Sequence, residues 1–165
     1  MQDTPVIFQG TFDPFTNGHL AIVKEALVLF GAVRILLLVN PDKTPLFSVE
    51  ERKQMILQST AGLNGISVDS SEGWLVDYMQ VHHLPACVRG VRNGEDAAYE
   101  LHNHQLSAQM YPAITTFLLP CPSDLCAVSS SAVKTACEQG CLPAGWVPQP
   151  VQQKLLEKYT AVKIS

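Results

Sequence analysis

The sequence predicts an α/β fold: a single doubly wound, Rossmann-like domain with a five-stranded parallel sheet and helices on both faces. Three observations lead there. Short apolar runs alternate with segments of helical periodicity along the chain. The alternation fits within 165 residues, the size of one compact domain with its own core. Polar clusters fall just after the apolar runs, where an open parallel sheet carries its ligand-binding loops.

Val6-Ile7-Phe8 marks a first strand over 5–9, and an amphipathic segment over 18–30 follows as a helix that stops at Gly31. A second strand is expected over 33–39 and a second helix over 48–61. Ser48 with Glu51 three residues on is a capping box, and Gly62 supplies the stop. The pattern continues with strand 65–69, helix 73–83, strand 86–89, helix 94–110, strand 114–119 and helix 130–139. Trp74, Leu75 and Tyr78 share one helical face and are expected in the core. Pro148 and Pro150 precede a last helix at about 150–158, a natural start signal. No repeat or low-complexity segment divides residues 1–165. Strand–helix alternation of this kind implies a sheet covered on both faces.

Composition narrows the function. Hydrophobic residues make up 47% and charged residues 16%, which excludes a disordered chain. The net charge of −4, with no basic cluster, argues against nucleic acid as the main partner but leaves small anions open. The longest strongly apolar run, Ile35–Val39, is too short to span a bilayer, and Met1–Pro5 shows no leader pattern. A cytoplasmic protein is expected. Cys87, Cys121, Cys126, Cys137 and Cys141 are odd in number, irregularly spaced and without a CxxC, so they read as reduced thiols. His82-His83 and His102-x-His104 lack acidic or thiol partners at ligand spacing, and no metal site is expected.

The most informative stretch is Gly10-Thr11-Phe12-Asp13-Pro14-Phe15-Thr16-Asn17-Gly18-His19. It joins a buried strand to a helix start through a glycine-bearing turn. Free N–H groups and the positive end of the helix dipole favour an anion there. His19 either caps the helix locally or donates to a phosphoryl oxygen. Three further clusters follow later strands. Lys43 lies in Pro41-Asp42-Lys43-Thr44-Pro45, either solvated or a point charge on a phosphoryl group. Arg89-Gly90-Val91-Arg92 holds two of the four arginines of the chain. Arg89 either binds phosphate or pairs with Asp96 or Glu100. Ser129-Ser130-Ser131 opens a helix, where hydroxyls cap, bind an anion, or both.

The ten-residue stretch resembles the GTFDPxTNGHL form of the T/HxGH signature, and with it the phosphopantetheine adenylyltransferases. Pro45-Leu46-Phe47, Glu50-Glu51-Arg52, Arg92-x-x-x-Asp96-x-x-Tyr99-Glu100, Val128–Lys134 and Trp146-Val147-Pro148-x-x-Val151 match further family motifs, so the likeness runs through the whole chain. The resemblance implies adenylyl transfer from ATP to 4′-phosphopantetheine, giving dephospho-coenzyme A and pyrophosphate. It implies catalytic roles for His19, Lys43 and Arg92. ATP would be held by Thr11, Phe12, His19, Gly90, Val91, Arg92, Glu100, Ser129, Ser130 and Ser131. The acceptor would be held by Thr11, Lys43, Leu75 and Arg89. Asp96 and Tyr99 would be structural. Mg²⁺ with ATP, a homohexamer and inhibition by coenzyme A are also implied. The chain departs from the family at Phe8-Gln9, at Ser107-Ala108, at Leu125 in place of an aromatic residue, and in a loop one residue longer around Cys121-Pro122. Two other activities stay open: adenylyl transfer to nicotinate or nicotinamide mononucleotide, which Thr16 disfavours, and a non-catalytic paralogue that senses coenzyme A.

Overall fold

Alternate side chains of the first apolar run enter different cores. Val6 and Phe8 face one side of the sheet, and Ile7 between them faces the other. The computed structural model describes residues 4–40, 42, 44–159 and 163–164. Within it β1 (Val6–Gly10), β2 (Val33–Leu38), β3 (Ile66–Ser71), β4 (Ala86–Val91) and β5 (Thr115–Pro120) form one parallel sheet in the order 3-2-1-4-5. β1 pairs Val6 with Val33 of β2 and Ile7 with Cys87 of β4. The chain moves outward from β1 to β3, then returns to the other side of β1. Strand order therefore reverses between β1 and β4, and the crevice at their carboxyl ends is the place for a ligand.

The helices are α1 (Asn17–Phe30), α2 (Val49–Ser59), α3 (Leu75–Val81), α4 (Gly94–Met110), α5 (Ser130–Glu138) and α6 (Gln149–Lys158). Ile22, Val23, Met55, Ile56, Val133 and Leu155 bring α1, α2, α5 and α6 onto the larger core. Val76, Tyr78 and Met79 of α3 build the smaller core with Ile7, Leu36 and Cys87. The sheet is thus covered on both faces, as expected. Among the described residues no helix is long and apolar enough to cross a membrane.

Three details differ from expectation. α2 stops at Ser59 rather than running on to Gly62, because Thr60 leaves helical geometry and turns its hydroxyl back onto the Ile56 carbonyl. α3 is shorter than 73–83, and Trp74 is its extended N-cap residue. Its ring is 74% exposed, outside the core that holds Tyr78. A parallel pair of two-residue strands, β6 (Cys141–Leu142) and β7 (Lys163–Ile164), was not legible, since two residues carry no period. All five cysteines are free thiols.

Candidate active site

His19 is the third residue of α1 and closes a capping box with Thr16. The Thr16 hydroxyl accepts from the His19 N–H at 3.2 Å, and the Thr16 N–H donates to His19 Nδ1 at 3.0 Å. A ring nitrogen that accepts from a backbone N–H carries no proton of its own. The neutral ring therefore carries its hydrogen on Nε2. The ring stacks on Phe15 and meets Phe12 edge-on, with centroids 5.6 and 5.1 Å away. Burial against these rings, then the charges of Arg92 and Arg89, lower its pKa from 6.5 to about 4. Local capping and a free donor thus coexist in one side chain.

Arg89 emerges from β4, its guanidinium half-buried at the crevice. Its Nε and Nη2 donate to Glu100 at 2.8 and 2.7 Å, and its Nη1 donates to the Gln9 carbonyl at 3.1 Å. Glu100 is the buried residue of α4. Arg92, more exposed, is paired with Asp96 one helical turn away at 2.7 Å. Asn93 caps α4 and Ser129 caps α5. Ser130 donates to the Pro14 carbonyl at 2.8 Å, which fastens the start of α5 to the turn after β1. Gly90 lets β4 lie against α1, since a Cβ there would stand 2.9 Å from Ile22 Cγ1.

These groups line a cleft of about 730 Å³ that contains Thr11, Phe12, Asp13, His19, Gly90, Arg92 and Ser129 to Ser131. A second cleft of about 560 Å³ adjoins it and is walled by Trp74, Leu75, Asn103, Leu106, Met110 and Ile114. Gln9, Leu38, Arg89 and Glu100 line both. The Arg89 guanidinium thus stands where the first cleft meets a more apolar one. Asp13, Asp96 and Glu100, the carboxylates of the first cleft, are each paired with a cation. Among the described residues no group of three or more His, Cys, Asp or Glu is placed to hold a metal ion.

A cytidylyltransferase-like family model matches residues 7–136. Phosphopantetheine adenylyltransferase of Actinobacillus pleuropneumoniae serotype 3 (strain JL03) is 39% identical over 153 residues, covering 93% of this chain and 97% of the relative. The enzyme of that name from Chromobacterium violaceum is 38% identical over 93% of this chain and 96% of its own length. The one from Heliobacterium modesticaldum is 33% identical over 94% and 93%. The chain belongs to the phosphopantetheine adenylyltransferase family. The fold is also that of a bifunctional NMN adenylyltransferase/ADP ribose pyrophosphatase from Francisella tularensis, with a TM-score of 0.68 and 17% identity. That likeness covers 94% of this chain and 51% of the other.

Most of the residues singled out in the sequence as this family's site come together in space. Thr11, Phe12, His19, Gly90, Arg92, Glu100 and the three serines share the first cleft, and Leu75 lies in the second. Val91 lines neither; it continues β4 between two residues that line the first. Lys43 lies outside the described residues. Arg89 pairs with Glu100 rather than Asp96, and Asp96 goes to Arg92. Sequence reasoning on the family motifs passed over Asp13. Its side chain is buried and meets three partners from two other segments, a role that no spacing announces.

Proposed function

We propose that the chain transfers the adenylyl group of ATP to 4′-phosphopantetheine, giving dephospho-coenzyme A and pyrophosphate. The observation that carries the reading is the pair of adjoining clefts that share Arg89, in a chain of this family. ATP occupies the first cleft, its phosphates toward the α1 terminus and the serines that open α5. The acceptor phosphate lies at Arg89, and its uncharged arm follows the second cleft past Leu75.

An oxygen of the acceptor phosphate forms a bond to the α-phosphorus of ATP in line with the departing bridge oxygen. The bond from that phosphorus to the bridge breaks, and pyrophosphate leaves with the electron pair. No protein nucleophile is required. His19 Nε2–H donates to the α-phosphoryl oxygens as negative charge builds on them, with Lys43 and Arg92 as the accompanying cations. Thr11 orients both substrates, and Ser129 to Ser131 hold the triphosphate through hydroxyls and N–H groups. Phe12, Gly90, Val91 and Glu100 shape the nucleotide side. Mg²⁺ enters with ATP as part of the MgATP substrate.

The same reading places the protein in the cytoplasm. It also includes a homohexamer, supported by the exposed apolar side chains Leu101, Leu106, Met110 and Phe117, and inhibition by coenzyme A. The test is pyrophosphate release with MgATP and, separately, 4′-phosphopantetheine, nicotinate mononucleotide and nicotinamide mononucleotide. Release with phosphopantetheine alone is expected. Release only with a mononucleotide reassigns the acceptor. No release, with tight coenzyme A binding, makes the protein a sensor.

A further inference from the structure

We propose that Asp13 is a positioning residue for adenylyl transfer: its buried carboxylate holds the loop after β2 and the Lys134 ammonium in register with the turn that leads into His19. The inference rests on the adenylyl-transfer reading above.

The carboxylate is almost closed to solvent, at 5% residue exposure. Oδ1 accepts from the Phe47 N–H at 3.0 Å, and Oδ2 accepts from the Leu46 N–H at 2.8 Å. Lys134 Nζ of α5 stands 3.4 Å from Oδ2. The next cation is Arg52, itself buried, whose guanidinium feels the Asp13 charge and donates through Nη1 to the Thr11 carbonyl at 2.7 Å. A single carboxylate therefore ties together three segments that follow β1, β2 and β5. All three reach the first cleft, through Thr11 and Phe12, through Thr44 and Pro45, and through Ser129, Ser130, Ser131 and Lys134.

A packing role alone does not call for this arrangement. An apolar side chain would fill the same space without the cost of a buried charge, which is tolerable only when donors surround it. Here the donors are two successive amides of a loop and a lysine lining the cleft. Fixing residues 46 and 47 sets the wall of the cleft that Thr44 and Pro45 line. The Asp13 charge also holds the Lys134 ammonium at one wall of the cleft instead of leaving it to solvent. Preset cations contribute most to a transition state whose charge shifts, because none must reorganise.

The experiment compares wild type, Asp13→Asn, Lys134→Met and the double variant in pyrophosphate release with MgATP and 4′-phosphopantetheine, at a temperature where circular dichroism shows each folded. Activity of the wild type tests the reading; the variant ratios test the inference. Asn keeps the volume and one acceptor but turns an amide donor toward Lys134 or a backbone N–H. Asp13→Asn is expected to lower kcat by about tenfold to a hundredfold while the KM for ATP stays within about threefold. The double variant is expected to lose less than the product of the single losses, as for residues acting together. A folded Asp13→Asn protein with wild-type kcat, or losses that multiply independently, would overturn the proposal. If Asp13→Asn does not fold, Lys134→Met decides. It leaves both amide bonds to Asp13 intact, and an unchanged kcat in that variant overturns the assignment.

Discussion

Two jobs of His19 can be separated by substitution, because they fall on different ring nitrogens. Nδ1 accepts from the Thr16 N–H at 3.0 Å, and Nε2 is the donor in the proposed transfer. Asparagine places a carbonyl oxygen close to the position of Nδ1 and nothing at Nε2. Alanine removes both. Each variant loses the ring contacts with Phe12 and Phe15, so the difference between them isolates the cap. A lost cap interaction costs about 1 kcal/mol. For a protein of this size that corresponds to about 2–4 °C in melting temperature. A lost transition-state donor costs about 3–4 kcal/mol, or a hundredfold to a thousandfold in kcat. The expectation is that His19→Asn melts above His19→Ala by that margin while the two share the same low kcat. ATP affinity should stay within about tenfold in both, since the contact strengthens only in the transition state. Thermal melts, pyrophosphate release and calorimetric ATP binding provide the readouts. A His19→Asn protein with near-wild-type kcat would refute the donor role. So would kcat losses that track the melting temperature.

The Arg89–Glu100 pair and the glycine beside it are separately testable. Glu100→Gln should lower unfolding free energy in urea by about 2 kcal/mol, the scale of a charge-assisted hydrogen bond, and raise the KM for the acceptor by letting Arg89 wander. An acceptor KM equal to wild type would mean that Glu100 does not position Arg89 for the acceptor. Gly90→Ala forces a Cβ to 2.9 Å from Ile22 Cγ1 and should cost about 1–3 kcal/mol by overpacking. Ile22→Ala removes Cγ1 and Cδ1 alike and should cost less in the Gly90→Ala chain than in wild type, and equal costs would mean that the strand, not the contact, had given way.

The sheet was legible above all at β1 and β2, which are buried on both faces and carry unbroken apolar runs. Ile35-Leu36-Leu37 is fully buried, two side chains going to one core and one to the other. Helix ends were legible where chemistry marks them, as at Ser48 and Gly31, both of which cap as expected. α3 was overextended because Trp74 has the right spacing for the helical face; its extended backbone puts the ring into solvent instead. At the site, some cleft residues were visible as oddities of type or place, as with Arg89 at the end of an apolar strand. Asp13 was not, because its partners are the amides of Leu46 and Phe47, and any residue but proline offers an amide. The choice of Glu100 over Asp96 for Arg89 was equally hidden. It depends on the angle at which α4 leaves the end of β4, which spacing does not encode.

His19 also has a fixed protonation argument. Because Nδ1 is occupied by an incoming N–H, the neutral ring can donate from Nε2 but cannot accept there, so it is not a general base. A low pKa does not weaken this donor, since the neutral tautomer already carries the hydrogen. It does make the folded state sensitive to acid. Between pH 6.5 and about 4 the unfolded chain takes up a proton that the folded ring refuses, so stability falls as pH falls through that window. Each pH unit there is worth about 1.4 kcal/mol, and the whole window up to about 3 kcal/mol. His19→Asn should lack this component, which urea unfolding at pH 7 and pH 4.5 would reveal as a smaller drop than in wild type. The nitrogen shifts of His19 in ¹⁵N NMR give the direct check. They should report an unprotonated Nδ1 and a protonated Nε2 that do not change between pH 8 and pH 5.5. Titration near pH 6.5, or a hydrogen on Nδ1, would break the link between the helix cap and the phosphoryl donor.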